Sequence, residues 1–488
     1  MQGGTLVNTQ LAKNSRQGWY TKHSNLVRGI GVVVLGAVIW FLPVPAGLTP
    51  RAWHMFAIFV ATIVGFIAKP LPIAAVAIIS ITFSAFTGVL KPAEALSGFS
   101  NTVIWLIVAA FVFSVCFKKT GLGRRIAYTM MRAIGGSALK LGYSLVLSDL
   151  IIAPATASNA ARAGGIMFPI VRSLCSALNS EPGSTARRIG AYLLYTSYQG
   201  DGICSCMFMT ASAANTLVAV LAATTLNANI SWGLWALGAI VPGIVSIIVI
   251  PYYIYKAFPP EIKNTPEAKE IAAAELKKMG PMKRGEKITT AVFISMLALW
   301  STGQYNHIDA SVVALAGVSV TLIFRVVEWK DVLEEENAWD TMVWMGALLG
   351  LADYLSKLGF IPWFAKSVAA SIVGVPGIVA LLILTLVYVY AHYGFASIVG
   401  HVTAMYVAFA SVAVAAGAPL MMTVLILAYA SHLCMSLTHY AAGPAPIYFG
   451  AGYIEQGTWW KHGFVISIIN MTIWIVLGSI WWKVLGLW

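Results

Sequence analysis

Apolar stretches of membrane-spanning length constrain this chain more than any other feature. Runs bounded by charge, Pro or Gly fall near 28–45, 52–69, 71–90, 101–117, 188–225, 231–256, 288–304, 308–326, 341–356, 418–450 and 463–482. A helix needs about 20 apolar residues to cross a hydrocarbon layer roughly 30 Å thick. The residues are 59% hydrophobic and 10% charged, with mean hydropathy +0.80, against roughly 45–50% apolar and 25% charged for a soluble domain. A soluble multidomain enzyme is excluded, and an all-α polytopic membrane protein of about 11 transmembrane helices is predicted. Two further runs, 141–173 and 375–413, are interrupted midway by Ser, Gly, Pro and His. They are read as re-entrant hairpins, because irregular backbone at membrane depth survives only where protein or water satisfies it.

The surplus of 31 Lys and Arg over 18 Asp and Glu is a matter of sidedness, and nucleic-acid binding has no support. With the N-terminus inside, 25 of the 31 basic residues fall on the cytoplasmic side, which satisfies the positive-inside rule. Residues 1–27 carry Lys13, Arg16 and Lys22 with no acidic residue and no small-residue cleavage pattern, as expected of an uncleaved cytoplasmic arm. A first transmembrane helix follows within 28–51. Segment 118–140, basic and free of acidic residues, predicts an amphipathic helix on the inner surface. The stretch 257–287, with Pro259-Pro260 and mixed charge, is the main soluble linker and splits the chain near its middle.

The halves resemble each other. SNTVIW at 100–105 matches WDTMVW at 339–344, and KTGL at 119–122 matches KLGF at 357–360 after a one-residue gap. Repeat 1 is assigned to 52–256 with an inner-side hairpin at 141–173, and repeat 2 to 288–488 with an outer-side hairpin at 375–413. An odd number of crossings per half makes the second copy insert upside down, giving two inverted repeats.

The first hairpin, IIAPATASNAARAGGIMFPI, places Ser158, Asn159, Ala160 and Arg162 within an apolar stretch. A central arginine costs from about 2.5 to more than 10 kcal/mol, so it is expected to face water or an anionic partner; snorkelling to headgroups is the bland alternative. The second hairpin offers Gly400, His401 and Thr403, with His401 set against Asn159 of the first half. Two crossing segments are also broken: MTASAANT supplies Thr210, Ser212 and Asn215, and SLTHYAAGPAPIYFG supplies Thr438, His439, Gly443 and Pro444. A packing kink is the bland reading of Gly443 and Pro444. Together the four breaks offer hydroxyls, amide donors and fixed cations with little negative charge, the chemistry of a small-anion site. Asp149 and Asp201 are the acids that could oppose it, Asp201 as a counter-charge to Arg162, a proton carrier or a cation ligand.

No metal site or cofactor is expected. His392, His401, His432 and His439 lack carboxylates or thiolates at ligand spacing, and Cys116, Cys175, Cys204, Cys206 and Cys434 read as small buried hydrophobes. No paired catalytic carboxylates or Ser/His/Asp set point to an enzyme.

At SNAARAGGIMFPI (158–170), FASIVGHVTAM (395–405) and SLTHYAAGPAPIYFGAGY (436–453), the chain resembles the divalent anion/sodium symporter family, also called INDY-type. Within it, the resemblance is to bacterial citrate/succinate and tartrate/succinate antiporters and plastid 2-oxoglutarate/malate translocators. It implies scaffold and transport domains, a homodimer, elevator-type motion, and a dicarboxylate held between Ser-Asn-Thr motifs at the two hairpin tips. This chain departs from that pattern. The first tip reads Ser158-Asn159-Ala160 followed by Arg162, and the second Gly400-His401-Val402. A fixed Arg and a His in place of neutral ligands suggest that protein charge replaces bound sodium. The expected function is therefore sodium-independent exchange of C4/C5 dicarboxylates (2-oxoglutarate, malate, succinate, fumarate) across the cell membrane, with a Na⁺-coupled di/tricarboxylate symporter as the alternative.

Overall fold

The structure is a computed structural model and describes residues 24–369 and 376–488. The expected N-terminal arm, up to residue 23, and the first position of the second hairpin, residue 375, lie outside the described residues. Helices dominate, and the one β-type pairing among the described residues is an isolated bridge between Ser137 and Asn264.

The chain divides into two compact units. Of the described residues, the first comprises 24–101 and 340–364, the second 102–339, 365–369 and 376–488, so each unit draws on both halves of the sequence.

In the first unit, helices run over Ser24–Phe41, Pro50–Ala68 and Ile73–Phe86. Pro43 and Pro45 end the first at residue 41, short of the expected 45, because proline has no N–H to continue a helix. Thr49 then starts the next, its hydroxyl accepting from the Ala52 N–H with Pro50 at the first helical position. Gly98 lies so close to the Gly346 carbonyl and the Gly350 nitrogen that a β-carbon on it would collide with backbone. Arg51 bridges the Glu94 carboxylate at 2.6 Å and the Val89 carbonyl at 2.7 Å.

The second unit begins with Thr102–Thr120 and the amphipathic Leu122–Ile134, which was expected from its basic, acid-free sequence. The linker is more than a tether. It contains the helix Pro266–Met279, packed against Leu122–Ile134. Arg125 holds Glu286 at 2.5 Å and donates to the Gly280 carbonyl, while Thr265 donates to Gly135.

Element order repeats through the chain. Ala138–Ile152 is followed by a tight turn at Ala153–Ala155, a widened π-type segment Ala160–Met167 and the helix Phe168–Ala177. Gly377–Ala391 is followed likewise by His392–Gly394, Ile398–His401, the π-type Val402–Tyr406 and Val407–Ala415. These are the two hairpins. The broken crossings follow in the same positions: Gly190–Met207, Met209–Ala211, Ala213–Leu226, then Leu420–Leu433, Cys434–Ser436, Ala445–Gly450.

Among the described residues eight helices are long and apolar enough to cross a membrane, and four shorter apolar ones accompany them. The runs 188–225 and 418–450 are broken as expected, the first at Met209–Ala211 beside the hydroxyls of Thr210 and Ser212, the second between Cys434–Ser436 and Ala445–Gly450, where Gly443 and Pro444 lie.

Candidate functional site: two hairpin tips and two helix breaks

The tips are built by local capping. In the first hairpin, Ser158 Oγ accepts from the Ala161 N–H at 3.2 Å and Asn159 Oδ1 from the Ala160 N–H at 2.9 Å, which starts the return arm. In the second, Ser397 Oγ accepts from the Gly400 N–H at 3.3 Å. Ser397 therefore matches Ser158, and the turns Ala153–Ala155 and His392–Gly394 match at the same offset. At that register ASNAAR (157–162) lies over ASIVGH (396–401), so His401 corresponds to Arg162 and not to Asn159. The expectation is corrected by three residues. Ser397 was missed, although the shared Ala-Ser pair carried the signal.

Arg162 lies beneath the first tip and is fully buried. Its Nε donates to Asp149 Oδ1 at 2.9 Å, and its Nη2 to Asp201 Oδ1 and Ser205 Oγ, both at 2.6 Å. Nη1 donates to the Thr156 and Ala211 carbonyls at 3.3 Å each. Of the expected surroundings, the anionic partner is the one present, twice over. Two carboxylates against one guanidinium also overturn the picture of a fixed, uncompensated cation with little negative charge around it. Arg162 offers no free donor face at the tip.

His401 beneath the second tip has different company. It is buried against Tyr388 at 4.2 Å and His392 at 4.9 Å between ring centroids, and its Nδ1 lies 3.9 Å from Cys434 Sγ. Ligand atoms of His392, His401 and Cys434 all lie within 4.8 Å of one another. This corrects the expectation that the histidines lack a thiol at ligand spacing. The three are 9 and 33 residues apart in sequence, so only the fold brings them together.

The breaks join the hairpins. Thr210 Oγ1 donates to the Pro154 carbonyl at 2.7 Å and accepts from Trp232 Nε1 at 3.0 Å, so its hydroxyl is committed to structure. Asn215 Nδ2 donates to the Ser205 and Phe208 carbonyls freed by the break, at 2.7 and 2.9 Å. Ser212 caps the helix Ala213–Leu226, which packs against Ile398–His401. Gly443 sits against Ala160: a β-carbon on Gly443 would stand 2.9 Å from that of Ala160, so the glycine permits the approach of break to tip. His392 Nε2 donates to the Ala441 carbonyl at 2.9 Å, tying the second hairpin to the same break. Pro444 is buried beside Gly443 and opens the helix Ala445–Gly450.

Ser158, Asn159, Ala160 and His439 remain partly exposed, and Gly443 is exposed. His439 Nδ1 accepts from Trp460 Nε1 at 3.0 Å, which leaves Nε2 to carry the ring proton. Thr403 spends its hydroxyl on the Val399 carbonyl at 2.7 Å, and Gly400 is buried. Asn159 Nδ2, Ser436 Oγ and Thr438 Oγ1 are buried atoms without a protein partner. Buried polar groups are nearly always satisfied, so these three atoms, among the several unpartnered ones, are candidates to meet a polar ligand.

A helical membrane protein with repeated halves, paired broken hairpins and paired broken crossings has the architecture of a secondary transporter. The transmembrane region of the sodium:sulfate symporter family matches residues 23–488, and the chain belongs to that family. It is 52% identical over 457 residues to the putative malate transporter YflS of Bacillus subtilis, covering 93% of this chain and 96% of that one. It is 46% identical to the chloroplastic dicarboxylate transporter 1 of Arabidopsis thaliana, over 93% and 82% of the two chains. Inner membrane protein YbhI of Escherichia coli is 39% identical, over 94% and 97%. In fold, the chain is similar to the crystal structure of the Alcanivorax borkumensis YdaH transporter, with TM-score 0.57 at 12% identity over 96% and 98% of the chains.

Proposed function

We propose that the protein is a dicarboxylate carrier of the cell membrane that exchanges C4/C5 dicarboxylates such as malate, succinate, fumarate and 2-oxoglutarate without sodium. The observation that carries the reading is the meeting of the first tip with the second break at Ala160 and Gly443, where Asn159 of the tip and Thr438 of the break each keep a buried polar atom without a protein partner. The return arm that starts at residue 160 adds a positive dipole end suited to carboxylates, its first N–H groups being held by the Ser158 and Asn159 caps. In substrate class the reading follows the relatives, whose names specify malate and dicarboxylates. Ser158, Asn159, Thr438 and His439 are the proposed substrate contacts; Thr210, Ser212 and Asn215 hold the break in shape.

Sodium independence rests on Arg162. Two carboxylates, two carbonyls and a hydroxyl surround its guanidinium, an oxygen set that would otherwise suit a bound hard cation. A tethered cation occupies the place and cannot be exchanged with solvent. Exchange follows from the polar tips. An empty carrier must move donors that lack partners through a low-dielectric passage, at about 1–3 kcal/mol for each unsatisfied group, so return without substrate is slow. Motion of the elevator type, a homodimer and a cytoplasmic N-terminus complete the proposal.

The test is uptake of labelled malate and 2-oxoglutarate into proteoliposomes, with and without internal dicarboxylate, in sodium and sodium-free buffer. The expected result is uptake that requires internal substrate and ignores sodium. The family's description favours one rival, a Na⁺-coupled symporter, and sodium-driven uptake into empty vesicles would establish it.

A further inference from the structure

The cluster under the second tip has no part in the proposed transport chemistry. His392 closes the outgoing arm of the hairpin, His401 ends the first turn of the return arm, and Cys434 stands where the neighbouring crossing breaks. All three are buried. A carbonyl can only accept, so the 2.9 Å contact of His392 Nε2 with Ala441 fixes the proton on Nε2 and leaves the Nδ1 lone pair pointing elsewhere. His392 Nδ1 has no protein partner, and His401 turns its Nδ1 toward Cys434 Sγ. An imidazole whose far nitrogen is held by a backbone carbonyl is the usual arrangement of a metal-ligating histidine.

The spacing suits a small soft ion. With metal–nitrogen distances of about 2.0–2.1 Å and metal–sulfur of about 2.3 Å, ligand atoms spread over a tetrahedral or trigonal ion stand about 3.3–3.8 Å apart. His401 Nδ1 and Cys434 Sγ are 3.9 Å apart, and the widest separation in the set is 4.8 Å, so closure of about 1 Å by side-chain rotation completes the set.

Charge selects among soft ions. Two neutral imidazoles and one thiolate carry a single negative charge, and a buried site penalises whatever is left over. A divalent ion would leave one uncompensated positive charge; a monovalent one leaves none. Thiolate and imidazole ligands in a three-coordinate site also suit Cu⁺ by softness.

We propose that His392, His401 and Cys434 form a binding site for a soft monovalent cation, Cu⁺ or its analogue Ag⁺. The thiol proton leaves as the sulfur–metal bond forms, with no change of oxidation state. Gly394 and Ala396, between the two histidines in sequence, are exposed at the tip. Ligation cross-links both arms of the second hairpin to the broken crossing.

The test uses the purified full-length protein in detergent with Ag⁺, which needs no reductant. A version with Cys116, Cys175, Cys204 and Cys206 replaced by Ala is the background, so that Cys434 is its one thiol. Metal retained after desalting against a competing thiol, and the shift in thermal unfolding, are the readouts. One Ag⁺ per chain and a raised unfolding temperature are expected. Cys434→Ala should abolish both, and His392→Gln should weaken binding at least tenfold. Equal retention in His392→Gln would overturn the proposal by reducing the site to a lone thiol. Displacement of Ag⁺ by equimolar Zn²⁺ would overturn the charge argument, and absence of a retained ion would overturn the site itself. If Cys434→Ala elutes as aggregate, His392→Gln alone decides.

Discussion

The two hairpins share their backbone and differ in what lies beneath their tips. Ser158 and Ser397 cap return arms at matching positions, and a widened turn follows each. Under the first tip, Arg162 is held by Asp149 and Asp201; under the second, His401 is held by rings and a thiol, with no carboxylate bonded to it. One scaffold thus supports a charged anchor on one side and a neutral one on the other. The two sides of the site need not carry matched charges to have matched shapes.

The largest effect expected is at the charged anchor. Removing one partner of a buried ion pair costs about 3–5 kcal/mol, because the charges left behind have no compensation. Arg162→Ala leaves two carboxylates, so it should lose stability on that scale as well as transport, by thermal unfolding in detergent and by vesicle uptake. Asp149→Asn and Asp201→Asn each leave one carboxylate to balance the guanidinium and should cost less than Arg162→Ala. Arg162→Ala with unchanged stability would mean that the triad is not the anchor described.

Transplanting the anchor tests the neutral side. His401→Arg places a guanidinium among Tyr388, His392 and Phe395, where no acid among the described residues bonds to His401. A loss of stability comparable to that of Arg162→Ala is expected, whereas His401→Gln keeps a neutral polar group and should cost less. A stable His401→Arg protein would show that the second tip has an anion within reach and would erase the contrast between the sides.

The caps sharpen what the tips share. Ser158→Ala and Ser397→Ala should each remove about 0.5–2 kcal/mol, the typical contribution of an N-cap. Equal losses in stability are expected, with a larger fall in dicarboxylate uptake for Ser158→Ala, since Ser158 is also a proposed substrate contact.

Much of this was legible in the sequence. The apolar runs located the helices, and the arginine in the apolar hairpin called for water or an anionic partner, with Asp201, 39 residues on, read as a counter-charge, a proton carrier or a cation ligand; the structure shows it as the counter-charge, together with Asp149. The helix Pro266–Met279 went unread, although Pro at its start, Glu267 in the first turn and Lys277 and Lys278 in the last carried its signal. The register of the second tip was misread by three residues, because short apolar strings match at several offsets and only the caps single one out. The His392, His401 and Cys434 cluster was not legible, since its members lie on three separate elements.

The smallest effect expected lies outside the membrane-spanning segments and separates the buried anchors from ordinary surface pairs. The backbone N–H of Glu328 and then the Lys119 ammonium, 2.5 Å away, hold the Asp331 carboxyl below the usual carboxylate range. A depressed carboxylate stabilises the fold fully above its unfolded value of about 3.9 and loses that contribution as pH falls through its folded value. The unfolding temperature should therefore hold steady through neutral pH as far as Asp331 is concerned, and fall below about pH 4. Asp331→Asn should remove only the Asp331 part of that acid-side fall and change stability at pH 7 by about 1 kcal/mol or less, the range of exposed ion pairs. A larger loss at pH 7 would place Asp331 in the same class as Asp149 and Asp201, and the distinction between an anchor that the fold needs and a pair that merely decorates it would have to be drawn elsewhere.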